Sequence, residues 1–440
     1  MKYGIYFPLG IIALLFLGSA CKKEDIIDPI PSLTAAEQVR VDELDKVLVP
    51  IDGSNPDAPF TDLDSLAFLG DAYIVGMGEA THGTSDFFQM KDRLFRYLVE
   101  NHGFKLFAFE ADFAESLFFE AYVLGAEGNL SELMTEKMHF WTWQTQEVLE
   151  LLNWMRTYNE GKSPEEQIHY FGIDCQIPIY NVDMLIEKME LFDPVFADSI
   201  SQRMTVIRVL PELSGLSADD WITQTENVTW LKSEIESRAA VIEAASSASE
   251  LELIRRLARV VEQCVDVQHS YAIPSGGNPR DEYMAENTIW LADYLGSETK
   301  TAVWAHNLHV NNNSNWTTLG SELRSTMGSD YQIVGFAFSQ GWFRAVQYNK
   351  GLKSHFISQE PLTGSYNKLF HHAAAENFYL RMADLEPNAD WQSWMAGSPK
   401  FLNIGSVYDG NTISYYSPTN LGLYYDVIIY FDSTDFAKEL

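Results

Sequence analysis

Glu79 and His82 stand three residues apart in Gly78-Glu79-Ala80-Thr81-His82-Gly83, and His306 and His309 stand three apart in Trp304-Ala305-His306-Asn307-Leu308-His309. A neutral imidazole near pH 7 can take a proton from water or an alcohol. A carboxylate on its other ring nitrogen fixes the tautomer and stabilises the imidazolium. Glu79 and Glu110 are the carboxylates that could serve His82 in this way. On a helical turn the rings of His306 and His309 would share a face, and with Glu79, Glu110 and Asp174 they could instead gather a divalent metal such as zinc. Acid/base use is the first expectation and metal the alternative: carboxylates outnumber imidazoles, no cysteine joins them, and no HExxH motif is present. Arg280 follows Pro279 and opens a helical stretch. Its planar fork suits a substrate carboxylate or an oxyanion, and equally an ion pair with Glu110 or Asp174.

Other chemistries find less support. The chain has no G-x-S-x-G elbow, Walker loop or dinucleotide fingerprint. Thr81 and Ser85 lie near His82 but have local uses, loop bonding for the first and helix capping for the second. Phe140, Trp141 and Trp143 precede a helix, where core packing is the first reading and gripping an apolar substrate the second.

These residues need elements to hold them. Tyr73 to Met77 is apolar without alternation, as in a strand buried on both faces. Thr84-Ser85-Asp86 can cap a helix running to Asn101 and stopped by His102-Gly103, and Phe104 to Phe109 reads as a second strand. That is the length of a right-handed parallel crossover. The pattern recurs: a helix over 147–158, a strand over 168–173, a helix over 281–295, and strands over 301–305 and 331–338. Four strand exits therefore carry Glu79, Glu110, Asp174 and His306, and exits at one sheet edge are where open α/β sheets build sites. Residues 190–272 read as a helical insertion, either covering that crevice or forming a plain helical layer. Residues 421–431 read as a terminal strand. The expected fold is three-layer α/β/α with a mostly parallel central sheet.

At the N-terminus, Lys2 precedes an apolar run over 11–17 and then Gly18-Ser19-Ala20-Cys21. The run is too short to span a bilayer. It reads as a signal peptide (1–21) of the bacterial lipoprotein kind, with Cys21 lipidated and residues 22–38 a flexible tether. The chain would then sit in the bacterial cell envelope, anchored to membrane, with the outer membrane the expected one. With 30 Lys+Arg against 62 Asp+Glu the net charge is −32, so nucleic acid and anionic surfaces are poor partners. Cys175 and Cys264 remain for one disulfide, with no zinc spacing. Residues 39–440 suffice for one large α/β domain.

The segments GEATHGTSDFFQMKDRLFRYLVENHGFKLFAFEAD (78–112), FWTWQTQEVLELLNWMRTYN (140–159), YFGIDCQ (170–176), NPRDEYMAENTIWL (278–291) and VWAHNLHV (303–310) together resemble the erythromycin esterase family, in the family's order. The resemblance implies hydrolysis of an ester or macrolide lactone by activated water, without a cofactor. It implies His82 as general base with Glu79 and Glu110 as partner carboxylates, and His306 as a second active-site histidine. Arg280, His309 and, more weakly, Lys91 are implied neighbours, and Asp174 joins them as a substrate-binding candidate from its strand exit. A lipoprotein leader is not what an intracellular drug-inactivating enzyme requires, so a non-catalytic lipoprotein that binds an envelope ligand stands as the second class of function.

Overall fold

The computed structural model describes residues 33–210, 215–273, 277–313 and 315–440. The leader, Cys21 and most of the tether lie outside them. Residues 35–38, expected as tether, are instead the first turn of a helix, Ala35–Leu44. Thr34 and Glu37 cap it reciprocally.

The apolar run before Gly78 forms a strand because nothing in it breaks extension and both of its faces find partners. In chain order the strands are β1 (Val49–Pro50), β2 (Ile74–Met77), β3 (Phe104–Asp112), β4 (His169–Asp174), β5 (Lys300–Trp304), β6 (Tyr331–Gln347), β7 (Gly351–Ile357), β8 (Asn377–Arg381), β9 (Lys400–Leu402), β10 (Tyr416–Pro418) and β11 (Val427–Thr434). The main sheet has the order β1-β8-β11-β6-β2-β5-β3-β4, and β7 pairs with the far half of β6. From β11 through β6, β2, β5 and β3 to β4 all pairs are parallel. Antiparallel β1, β8 and β7 complete it.

Alternate residues of these strands feed opposite cores. Ile74, Leu106, Ala108 and Val303 pack on one face with the helices of the 178–295 region. Val75, Met77, Phe107, Phe109 and Trp304 pack on the other with helices Ser85–His102 and Gln146–Asn159. The three-layer α/β/α expectation holds. The two layers differ in origin: the second comes from the crossover after β2, while on the first face the helices Arg280–Leu295 and Leu319–Met327 meet the strands and the insertion packs on helices. Residues 190–272 are helical over Pro194–Arg203, Thr205–Arg208, Ala218–Ala245 and Ala248–Ala272. Among the described residues this insertion packs mainly on the helices Pro178–Glu190 and Arg280–Leu295, and its last turns approach the cleft, where Gln268 Nε2 donates to the Gln176 carbonyl at 2.7 Å.

Three local expectations change. Thr84 takes the N-cap position of Ser85–His102 without a side-chain cap bond. Its hydroxyl meets that of Thr81 at 2.5 Å, and Ser85, inside the first turn, donates to Glu147 at 2.6 Å rather than capping. The strand expected over 331–338 is only the first half of β6, whose outer half extends to pair with β7. In the segment 421–431, Leu421–Tyr424 coils into a helical turn capped by Asn420, and the strand starts at Val427, where β6 offers Val334 as its partner. Gly103 ends its helix in the left-handed conformation, φ 72°, as expected.

Candidate active site

Register brings the strand exits together. Met77 lies opposite Trp304, and Trp304 opposite Phe109, because β5 slots between β2 and β3. Glu79, His306 and Glu110 therefore leave the sheet side by side, and Asp174 follows at the end of β4, opposite Asp112.

His82 stands on the loop that follows. Its Nδ1 bonds Glu79 Oε1 at 2.7 Å. Glu79 is fully buried, and its other oxygen accepts from Lys91 Nζ at 2.7 Å and Trp304 Nε1 at 2.8 Å. Two donors on Oε2, one of them cationic, make Glu79 a carboxylate that accepts at both oxygens, so the His82 proton sits on Nδ1. Nε2 has no protein partner among the described residues, and the ring lines the cleft. Thr142 Oγ1 donates to the His82 carbonyl at 2.6 Å and steadies the loop. The backbone turn depends on Gly83, where a Cβ would run into the Arg344 carbonyl.

Lys91 does not reach the cleft. It is fully buried behind Glu79, with its ammonium 4.5 Å from the Trp304 ring centroid. Burial lowers its pKa to about 8 against the pull of Glu79. The expected substrate contact is thus a positioning one, since a side chain with no exposed surface can act only through Glu79.

His306 faces His82, with ring centroids 5.0 Å apart. Its backbone N–H donates to Glu110 Oε2 at 2.9 Å, and its Nδ1 accepts from the Leu308 N–H at 3.2 Å. The ring proton therefore lies on Nε2, which is buried with no hydrogen-bond partner among the described residues. Burial, with His82 and His309 adding to it, holds the pKa well below the ordinary imidazole value, and the ring stays neutral.

Beyond His306 lies a charged girdle. Arg280 spans Asp174 with Nε at 2.9 Å from Oδ1 and Nη2 at 2.8 Å from Oδ2, and Nη2 also reaches Glu110 Oε1 at 2.6 Å. Its remaining nitrogen is 3.1 Å from His309 Nε2. Burial opposes the arginine's charge, but Asp174 and Glu110 outweigh it. Burial would likewise raise Glu110, yet His309, Arg280 and His82 hold it far below the carboxylate range. His309 sits between Asp281 (2.5 Å) and Glu110 (3.3 Å). Burial pulls its pKa down, these carboxylates overcome it, and the net shift is upward. Asp174 is almost wholly enclosed. Besides Arg280 it accepts from Cys175 N at 2.7 Å and Gln176 Nε2 at 2.8 Å. It holds Arg280 and stands in the lining of the cleft. The HxxH spacing does not give one shared face either. His306 is the N-cap of the turn Asn307–Val310 and turns to His82, while His309 turns to Arg280.

For a metal, the donors are already engaged. Glu79 is taken by Lys91, Trp304 and His82, and Glu110 by Arg280 and the His306 N–H. Among the described residues no three His, Cys, Asp or Glu side chains are grouped to hold one ion. Cys175 and Cys264 are buried and unbridged.

Two compartments of the cleft meet at His82, His309, Ser406 and Val407. One, about 380 Å³, is lined by Phe140, Trp141, Thr142, Val346 and Val407 above the Arg280 girdle. Trp143 is a core residue, with Nε1 on the Glu110 carbonyl at 3.2 Å, while Phe140 and Trp141 line the cleft. The other, about 580 Å³, is lined by Leu308, Trp316, Tyr348, Asn403, Ile404 and Tyr415. This wall comes from the last third of the chain, and sequence reasoning missed it. The loop after β9 docks by Ile404 N–H on the Ala80 carbonyl at 2.7 Å and by Asn307 Nδ2 on Asn403 Oδ1 at 2.8 Å. No local signal marks such a wall; the density of Tyr, Trp and Asn in turns was the one hint. Asp281 was missed too, although it adjoins Arg280.

A model of the erythromycin esterase family matches residues 99–434. The chain is 24% identical over 396 residues to erythromycin esterase type II of Escherichia coli, covering 82% of this chain and 91% of that protein. It is 23% identical over 377 residues to the putative hydrolase YbfO of Bacillus subtilis, covering 79% and 82%. In fold it is similar to a Bacillus cereus protein (TM-score 0.79, 23% identity, 92% of this chain and 99% of that one). It is also similar to an erythromycin esterase mutant in its open conformation (TM-score 0.65, 16% identity, 87% and 96%). The matched stretch takes in most of the sequence, and the chain belongs to the erythromycin esterase family.

Proposed function

We propose that this protein hydrolyses a carboxylic ester or lactone with a water molecule that His82 deprotonates. The observation that carries the reading is the His82–Glu79 pair: a fully buried carboxylate fixes Nδ1–H and leaves Nε2 free in the cleft. In this reaction Nε2 takes a proton from water as the oxygen attacks the carbonyl carbon. The negative charge collects on the carbonyl oxygen, in the field of Arg280 and beside neutral His306, whose ring packs against His82. Collapse of the tetrahedral intermediate breaks the carbon–oxygen bond to the alcohol. The His82 imidazolium returns its proton to that oxygen, leaving acid and alcohol.

The relatives named above support the reaction class, one being an erythromycin esterase and another a putative hydrolase. The proposed steps run on His82, Glu79 and Arg280, and zinc has no part in them. The test is turnover of a panel of acyl esters, lactones and macrolides by the purified protein and by His82→Ala. Hydrolysis that survives the substitution at an unchanged rate would remove His82 from the mechanism. No hydrolysis of any member by wild type, together with binding of one, would make the protein a binding lipoprotein.

The cell-envelope placement belongs to the same proposal. It rests on the sequence of residues 1–21 and on Cys21, and it implies attachment to membrane by lipid. Cys21→Ser should move the protein from the membrane fraction to the soluble one; an unaltered distribution would refute anchoring through this residue.

A further inference from the structure

Two rings in the larger compartment take no part in the chemistry described above. Trp316 is 56% exposed and Tyr348 73%, yet both line the cleft, with Tyr415 on the same wall. Among the described residues neither Trp316 nor Tyr348 makes a hydrogen bond or a ring contact. Isolated exposed rings are ordinary on a surface, but several on one concave wall mark a binding surface. The wall is also mixed: Ser406 adds a hydroxyl to the indole N–H and the Tyr348 phenol, while Asn403 Oδ1 is held by Asn307 and Asp281 by His309. Flat aromatic faces accept C–H groups stacked on them, while the indole N–H, phenol and hydroxyl seek hydroxyls at the edge of the same ligand. A pyranose ring has both, C–H groups on its faces and hydroxyls at its rim. A purely apolar acyl chain would leave the polar half of this wall unpaired. The compartment across His82 offers an acyl group Phe140, Trp141 and Val346, beside the polar Gln176, Asp174 and Arg280, and shares Ser406 and Val407 with this one.

We propose that the Trp316–Tyr348–Tyr415 wall is a carbohydrate-binding subsite, so that the ester hydrolysed beside it has a sugar ring in its alcohol half. This rests on the ester-hydrolase reading above. The acyl group then lies toward Trp141 and the sugar toward Tyr348, with the scissile carbonyl at His82, which lines both compartments.

The test compares the monoacetates of methyl glucoside, galactoside, mannoside and rhamnoside with cyclohexyl acetate, which keeps the six-membered ring and removes its hydroxyls. The expected result is that at least one sugar acetate has a kcat/KM about tenfold or more above cyclohexyl acetate. That ratio should collapse in Trp316→Ala and Tyr348→Ala, mainly through KM, and be partly kept in Trp316→Phe. Equal rates on sugar and cyclohexyl esters, or a preference untouched by all three variants, would overturn the subsite. If wild type cleaves none of the esters, the hydrolase reading fails separately, and isothermal titration with the four unacylated methyl glycosides decides the subsite. Saturable heat with one of them, lost in Trp316→Ala, upholds it; no heat with any of them overturns it. Thermal melts of the variants, whose substituted side chains are exposed, check that the fold is intact.

Discussion

Glu79→Gln changes one atom of the site and should remove nearly all turnover. Lys91 Nζ and Trp304 Nε1 both donate to Glu79 Oε2. Neither can accept, so a glutamine must turn its carbonyl oxygen toward them. Its NH2 then occupies the place of Oε1, 2.7 Å from His82 Nδ1, and donates to that nitrogen. The ring proton is driven to Nε2, and the lone pair that faced the cleft is gone. A second loss is electrostatic. Opposite unit charges about 4 Å apart at an effective dielectric near 20 attract by about 4 kcal/mol, which is about 10³-fold in rate once the imidazolium loses its carboxylate. The expected outcome is a kcat lower by about 10³-fold or more with KM changed by less than about threefold, because the interaction matters as the proton moves. Lys91 loses its charge partner while staying buried, so some loss of stability is expected beside the loss of turnover. Initial rates on the best ester of the panel, with a thermal melt alongside, provide the assay. A folded Glu79→Gln protein with kcat within about tenfold of wild type would refute the tautomer argument.

His82→Ala should lower kcat by about 10²- to 10⁴-fold and leave substrate affinity nearly intact, read from single-turnover rates and inhibitor binding. Glu110→Gln should be milder, about 10- to 10²-fold, since Asp174 still holds Arg280 while His309 loses one of the two carboxylates that raise its pKa; a loss as large as that of His82→Ala would give Glu110 a direct part in proton transfer. Chelator-treated protein should keep its rate and hold no stoichiometric zinc by elemental analysis, whereas loss restored by one added metal would demand a metal-dependent route. Asp112 is buried beside Glu115 and Asp174, and burial raises its pKa. The native state thus binds more protons than the unfolded chain between the ordinary carboxylate range and neutrality, and stability falls as pH rises through that window. Asp112→Asn, which cannot ionise, should therefore compare better with wild type in melting temperature at pH 8 than at pH 5, and the opposite order would refute this assignment.

How much of the site could be read in advance differs residue by residue. Glu79, His82, Glu110 and His306 were legible because each follows an apolar run, and parallel strands deliver their exits to one edge whatever their order. The order was not legible. The β2 and β3 strands flank a crossover helix, yet β5, almost two hundred residues later, lies between them and brings His306 beside Glu79. Sequence also leaves open which charges find each other. Arg280 suited a substrate anion as well as an ion pair until folding set it against Asp174 and Glu110, and Lys91 suited the cleft until it was buried behind Glu79.

What the amino-acid sequence determined by itself was local: apolar runs too uniform for anything but doubly buried strands, helix stops such as Gly103, and the titratable types at the strand ends. Periodicity and capping act over a few residues, so they can be read from a few residues. The tertiary structure alone decided register, burial and the second wall of the cleft, where the loop carrying Asn403 and Ile404 docks on Asn307 and Ala80. Those outcomes depend on which distant surfaces exclude water together. The free energy of that exclusion belongs to the packed pair and to neither segment alone.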